Sequence, residues 1–74
     1  MNGETMENTV PISWVSDRGE IMEDEAIIEY VVLREEGEYY REIVNIFLPE
    51  GIPYYQREEV KRNAAETFNY TAWY

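Results

Sequence analysis

The chain has 74 residues, sixteen of them Asp or Glu against six Lys or Arg for a formal net charge of −10, and it has neither cysteine nor histidine. Those two absences exclude a disulfide framework, the usual thiolate and imidazole ligands of zinc, and any Ser-His or Cys-His nucleophile pair. A chain this short buries only about 60% of its extended surface on folding, so it supports one small core; the aids left to it are dense aromatic packing, for which it has seven Tyr, two Trp and two Phe, and oligomerisation.

Residues 1–9 are polar and aperiodic and read as a flexible N-terminal end, which leaves 10–74 as a single small domain. Val10, Ile12 and Trp14 alternate with Pro11 and Ser13, the pattern of a short strand, and Pro11 confines that strand to a sheet edge or a strand start. Ser16-Asp17-Arg18-Gly19 has turn chemistry. Glu20 to Glu25 sets four carboxylates around Ile21 and Met22, which reads as a connection or a distorted strand and is the densest anionic patch in the chain. Ala26 to Arg34 and Tyr39 to Leu48 are the two best strands. Between them Glu35-Glu36-Gly37 fits a three-residue hairpin loop with Gly37 in the left-handed region, which sets Arg34 opposite Glu38. That register puts Ile28, Tyr30, Val32, Tyr40, Val44, Ile46 and Leu48 on one face, with Glu42 as a polar exception. It puts Ile27, Glu29, Val31, Leu33, Tyr39, Arg41, Ile43, Asn45 and Phe47 on the other.

Pro49-Glu50-Gly51-Ile52-Pro53 is a break, because two prolines so close forbid continuation of the strand. Tyr54 to Phe68 then has helical composition, with Val60, Ala64 and Phe68 spaced for one narrow apolar stripe and Arg57, Glu58, Lys61 and Arg62 on the wet side. Asn69 to Tyr74 is too aromatic for a frayed end and is expected to dock on something. The predicted architecture is α+β: a three-stranded antiparallel sheet followed by one C-terminal helix, in the order β-β-β-α. One helix covers one sheet face, yet both faces of the central hairpin carry large apolar side chains. The second face is expected to meet the C-terminal tail, a second subunit or a target, and a symmetric homodimer is the simplest of these.

The chemistry of the chain argues against an enzyme. Two carboxylates can do glycosidase work, but only at fixed separation in a cleft that a chain of this size has little room to form. The run Glu20, Glu23, Asp24 and Glu25 lacks the spacing and the turn glycine of a calcium loop, and the four glycines are scattered, so neither a metal nor a nucleotide cofactor is expected. No segment approaches the ~20 apolar residues of a membrane span, and the start lacks the order of a secretory signal. A cytoplasmic protein is expected, with the acceptor triplet Asn69-Tyr70-Thr71 unused.

Charge distribution gives the functional expectation. The first fifty residues hold thirteen acidic and three basic side chains, whereas the last twenty-four balance Glu58, Glu59 and Glu66 against Arg57, Lys61 and Arg62. Such a field repels nucleic acid and anionic membrane and favours a basic partner. Solubility is the plainer role for these acids, but −10 on 74 residues exceeds the magnitude of ~2 to 8 that suffices for a small domain. Duplex DNA carries roughly one negative charge per 1.7 Å of axis, and same-face residues of a strand repeat every ~6.6 to 6.8 Å, so carboxylates on strands can stand in for phosphates. The expected partner-binding acids are Glu20, Glu23, Asp24, Glu25, Glu29, Glu35, Glu36 and Glu38.

Small, acidic, cysteine-free inhibitors of nucleic-acid enzymes are found among bacteriophage anti-restriction and anti-CRISPR proteins, and acidic immunity proteins plug toxic nucleases; the chain shares this composition but no motif of a particular family. The charge distribution leads to the expectation of a non-enzymatic inhibitor that occupies the basic cleft of a nucleic-acid-binding protein or enzyme by charge mimicry. The competing expectation is a structural or regulatory module that binds through Val31, Leu33, Ile43 and Phe47 on the uncovered face, together with Trp73 and Tyr74.

Overall fold

The computed structural model describes residues 4–71. Three antiparallel strands, β1 (Met6–Val15), β2 (Ile21–Glu35) and β3 (Glu38–Phe47), form one open sheet in the order β1-β2-β3, and a single helix, α1 (Tyr54–Tyr70), follows. This is the α+β architecture expected from the sequence. Pro11, which has no N–H to give, lies on an edge strand as its chemistry requires. β1 begins at Met6, and Met6 to Thr9 pair with Tyr30 to Ile27 although their side chains show no apolar alternation. The anionic run at Met22 to Glu25 is regular strand paired with Trp14 to Pro11, not a connection. Its like charges are tolerated because alternate side chains leave on opposite faces. The turn that joins β1 to β2 is tied by the Ser16 hydroxyl, which accepts from the N–H groups of Arg18 and Glu20, both at 3.2 Å.

The β2–β3 hairpin corrects the expected register. Glu35 pairs with Glu38 and Arg34 with Tyr39, so the loop is Glu36-Gly37 alone. Both loop residues have positive φ, 54° at Glu36 and 84° at Gly37, as in a type I′ turn whose twist matches the strands it joins. The sequence reading reserved the left-handed region for glycine; Glu36 enters it at a cost of about 1 kcal/mol. Since a one-residue slip moves every side chain to the opposite face, Tyr39, Arg41 and Ile43 turn toward the helix side while Tyr40 and Glu42 turn away. The error stops at Val44. There the register shifts between Glu29 and Tyr30, Val44 is the extra residue, and Ile46 and Phe47 recover the faces expected of them.

One face of the sheet is covered. Val10, Ile12 and Trp14 of β1 and Ala26 and Ile28 of β2 pack against the helical stripe Val60, Ala64 and Phe68, with Ile52 of the β3–α1 connection joining the core. Tyr30, Ile43, Ile46 and Leu48 pack partly buried around it. The helix stripe is the one read from sequence, whereas the burial of Ile52 between two prolines carries no periodic signal. Tyr40, expected in the core, is 42% exposed because of the register shift.

Two side chains pin the ends of α1. At its start the Gln56 carboxamide accepts from the N–H of Val15 at 3.1 Å and donates to the carbonyl of Val15 at 2.7 Å. At its end the Arg41 guanidinium donates to the carbonyls of Phe68 and Thr71 at 2.8 and 2.9 Å and lies 4.0 Å from the centre of the Phe68 ring. The last turn of α1 has no basic residue of its own, so β3 supplies the cation that complements its C-terminal carbonyls.

Two outcomes follow. Arg41→Ala should lower unfolding free energy by about 2 kcal/mol through loss of two charge-assisted hydrogen bonds, one to the part-buried carbonyl of Phe68 and one to the exposed carbonyl of Thr71, and Arg41→Lys should recover less than half because an ammonium lacks the planar fork; urea unfolding measures both. Glu36→Asn should raise stability by about 0.5 to 1 kcal/mol, since asparagine tolerates the left-handed region that Glu36 occupies.

Candidate partner-binding face

Period-2 alternation along each strand, combined with the register, assigns every strand side chain to the helix side or to the open side. On the open side β2 presents Ile21, Glu23, Glu25, Ile27, Glu29, Val31, Leu33 and Glu35. β1 adds Glu7, Thr9, Pro11, Ser13 and Val15, and β3 adds Glu38, Tyr40, Glu42, Asn45 and Phe47. Seven carboxylates therefore share this face: Glu7, Glu23, Glu25, Glu29, Glu35, Glu38 and Glu42. Among the described residues it has no Lys or Arg. The bases lie elsewhere: Arg18 in the first turn, Arg34 and Arg41 on the helix side, and Arg57, Lys61 and Arg62 on α1.

The arrangement is a row with cross-members. Along β2 the step from Glu23 to Glu25 is about 6.7 Å, and Glu23 to Glu35 spans roughly 40 Å. Glu7 lies directly opposite Glu29, and Glu35 directly opposite Glu38. Like charges directly opposite one another destabilise a sheet, so the fold holds two repulsive pairs here. Apolar rows separate the acids. Ile27 pairs with Phe47, 38% and 45% exposed, between Glu25 and Glu29. Leu33 pairs with Tyr40, and Val31 lies beside Glu42, between Glu29 and Glu35.

Of the acids expected to bind a partner, Glu23, Glu25, Glu29, Glu35 and Glu38 come together on this face. Asp24 does not: its even position faces the helix side, opposite Ile12. Glu20 sits in the β1–β2 turn and Glu36 at the hairpin tip, at the two ends of the row. Two members were missed. Glu42 was placed on the other face by the slipped hairpin, and Glu7 was assigned to the flexible end, although its distance of two residues from Thr9 continues the period of β1. Of the apolar set, Val31, Leu33 and Phe47 are on the open side, half-buried or exposed. Ile43 is a correction: the I′ turn puts it on the helix side, packed against the core. Trp73 and Tyr74 lie outside the described residues.

The carboxylates of this face are exposed to solvent, apart from the half-buried Glu29. No polar or charged side chain among the described residues is buried, and no group of three or more Asp or Glu there could hold a metal ion. No described helix is long and apolar enough to cross a membrane. Comparison with known proteins finds no matching family model, no matching curated protein and no matching solved structure.

Proposed function

We propose that the protein is a non-enzymatic inhibitor that lays its open sheet face into the basic nucleic-acid-binding cleft of another protein, its carboxylates standing where phosphates would bind. The observation that carries this reading is the segregation of charge. Among the described residues seven carboxylates and no Lys or Arg occupy one face; along β2 Glu23 and Glu25 are about 6.7 Å apart, close to the spacing of neighbouring phosphates along a strand, and Glu29 and Glu35 follow at about two and three times that step. Acids serving solubility alone work equally well on any surface and need not be set opposite one another. The pairs Glu7–Glu29 and Glu35–Glu38 cost stability that a purely solubilising pattern would avoid. In this reading the protein acts in the cytoplasm of a bacterial cell as a phage anti-defence factor, of the anti-restriction or anti-CRISPR kind, or as the immunity partner of a nuclease.

Apolar rows between the acids support a second mode of contact within the same face. Ile27, Phe47 and Tyr40 are exposed large side chains, and their burial against a target would add a term that salt does not screen.

The test is capture of partners on immobilised protein from bacterial lysate, followed by release with rising salt or with added nucleic acid. Release by both is expected, as is loss of capture by the variant Glu23→Gln, Glu25→Gln, Glu29→Gln, Glu35→Gln. A partner that survives the quadruple substitution and high salt would refute charge mimicry and favour the apolar rows. A second outcome separates function from folding. Glu29→Gln and Glu38→Gln should each raise the unfolding free energy by about 0.5 kcal/mol, by relieving the opposed pairs, while weakening binding.

A further inference from the structure

The helix does not sit over the middle of the sheet. Its stripe of Val60, Ala64 and Phe68 packs on Val10, Ile12 and Trp14 of β1 and on Ala26 and Ile28 of β2, all buried, whereas Ile46 of β3 and the following Leu48 are only half-buried at the margin of that core. On one flank of α1, Gln56 reaches Val15 of β1. The opposite flank faces the end of β3 across an open groove of about 550 Å³. Ile46 and Leu48 line it from the sheet, and Tyr54, Tyr55, Arg57 and Lys61 line it from the first two turns of the helix. Arg57 and Lys61 stand one helical turn apart, so a guanidinium and an ammonium can converge on a single anionic group. Both were expected on the wet side of α1 and are half-buried instead, and withdrawing a cation from water costs free energy unless a partner offsets it.

Among the described residues Arg57 has one polar contact, to the carbonyl of Pro49 at a long 3.4 Å, and neither cation is ion-paired to a carboxylate. Tyr54 and Tyr55 beside them are 90% and 78% exposed. The helix balances Arg57, Lys61 and Arg62 against Glu58, Glu59 and Glu66, so an anion meets far less repulsion here than at the open sheet face. We infer that this groove binds an acidic segment of a partner protein, one Asp or Glu flanked by apolar residues. The carboxylate lies between Arg57 and Lys61, and its apolar neighbours lie against Ile46, Leu48 and the two tyrosines. This goes beyond the function proposed above and does not rest on it. Glu58 on the rim and the net charge of −10 penalise each further negative charge, which disfavours a phosphate group of about −1.5 to −2 and, more strongly, a nucleic-acid strand. A small-molecule site encloses roughly 70 to 90% of its ligand; walls as exposed as Tyr54 and Tyr55 leave a small molecule wet, whereas a peptide continues past the groove and needs no such enclosure. A second copy of the chain fits poorly, because its acidic runs are held in paired strands and tight turns and its approach adds another −10.

The test is NMR titration of the full chain with a short capped peptide, Ser-Leu-Asp-Phe-Ser, and with versions carrying Asn or Lys in place of the Asp. Amide signals of Ile46 to Leu48 and of Tyr54 to Lys61 should shift with the Asp peptide. The Asn peptide should bind about tenfold more weakly, and the Lys peptide more weakly still. Lys61→Gln should weaken binding of the Asp peptide by a similar factor. Tyr54→Ser together with Tyr55→Ser should weaken it by about fivefold through lost apolar contact, with no change in charge; unchanged signals from the sheet report that each variant is folded. The quadruple Gln variant of the open face should bind the Asp peptide no more weakly than the parent, so a failure here and a failure of the charge-mimicry reading are told apart. Equal affinity for the Asp and Asn peptides overturns the inference, as does the absence of groove shifts at millimolar Asp peptide. Tighter binding of free phenylbutyrate than of the peptide makes the groove a small-molecule site and overturns the protein partner. Displacement of the peptide by a single-stranded oligonucleotide, or self-association that Lys61→Gln abolishes, gives the groove to another occupant and overturns it equally.

Discussion

A single helix must cover a sheet longer than itself. Seventeen residues of α-helix extend about 25 Å, whereas the fifteen residues of β2 extend about 50 Å, so α1 shields roughly half of the sheet length on one side and none on the other. The helix is fixed at both ends by side chains of the sheet or toward it: Gln56 at Val15 and Arg41 at Phe68 and Thr71. From these anchors the rest follows. The core is confined to the overlap of β1, the first half of β2 and the apolar stripe of α1, and the far half of the β2–β3 hairpin extends past it as an arm. The arm carries its own local order through the I′ turn, the cross-strand pairs and the Arg34–Tyr39 contact, in which the guanidinium lies 5.6 Å from the ring centre.

Much of this was legible in the sequence where one physical rule acted without competition. Pro11 at an edge, the break at Pro49 to Pro53, and the stripe Val60, Ala64 and Phe68 each express a local constraint that tertiary structure did not override. The hairpin differs from expectation because two residues, not one, occupy the left-handed region. Gly37 takes it freely and was recognised; Glu36 takes it at a cost that only the twist of the flanking strands repays. From that one residue came the misplacement of Tyr39 to Ile43, including Ile43 as an interface residue and Glu42 as an inward exception. The bulge at Val44 had no signal of its own, yet it kept Ile46 and Phe47 where simple alternation had set them. The acidic region was recognised by density, but density cannot distinguish faces, which is why Asp24 was included and Glu7 was not.

The open face and the covered face show opposite solutions to the same shortage of residues. On the helix side, large apolar side chains interdigitate, and Arg41 is drawn in and engaged by carbonyls and rings. On the open side, carboxylates are interleaved with apolar rows and, among the described residues, no Lys or Arg balances them. A surface of this kind is stable against its own copies, since two such faces repel, while a cationic surface gains from both its charged and its apolar rows. In the proposed function, selectivity arises from what the face rejects as much as from what it attracts.

The stagger of the strands has one more consequence, in the shape of the molecule. Its principal extents are 49 × 21 × 16 Å and its radius of gyration is 14.3 Å, against about 11 Å for a compact globule of this length. A rod-like body tumbles anisotropically and sweeps a larger volume than its mass suggests. It also presents one continuous face about 49 Å long, a reach that a spherical domain attains only with several times as many residues.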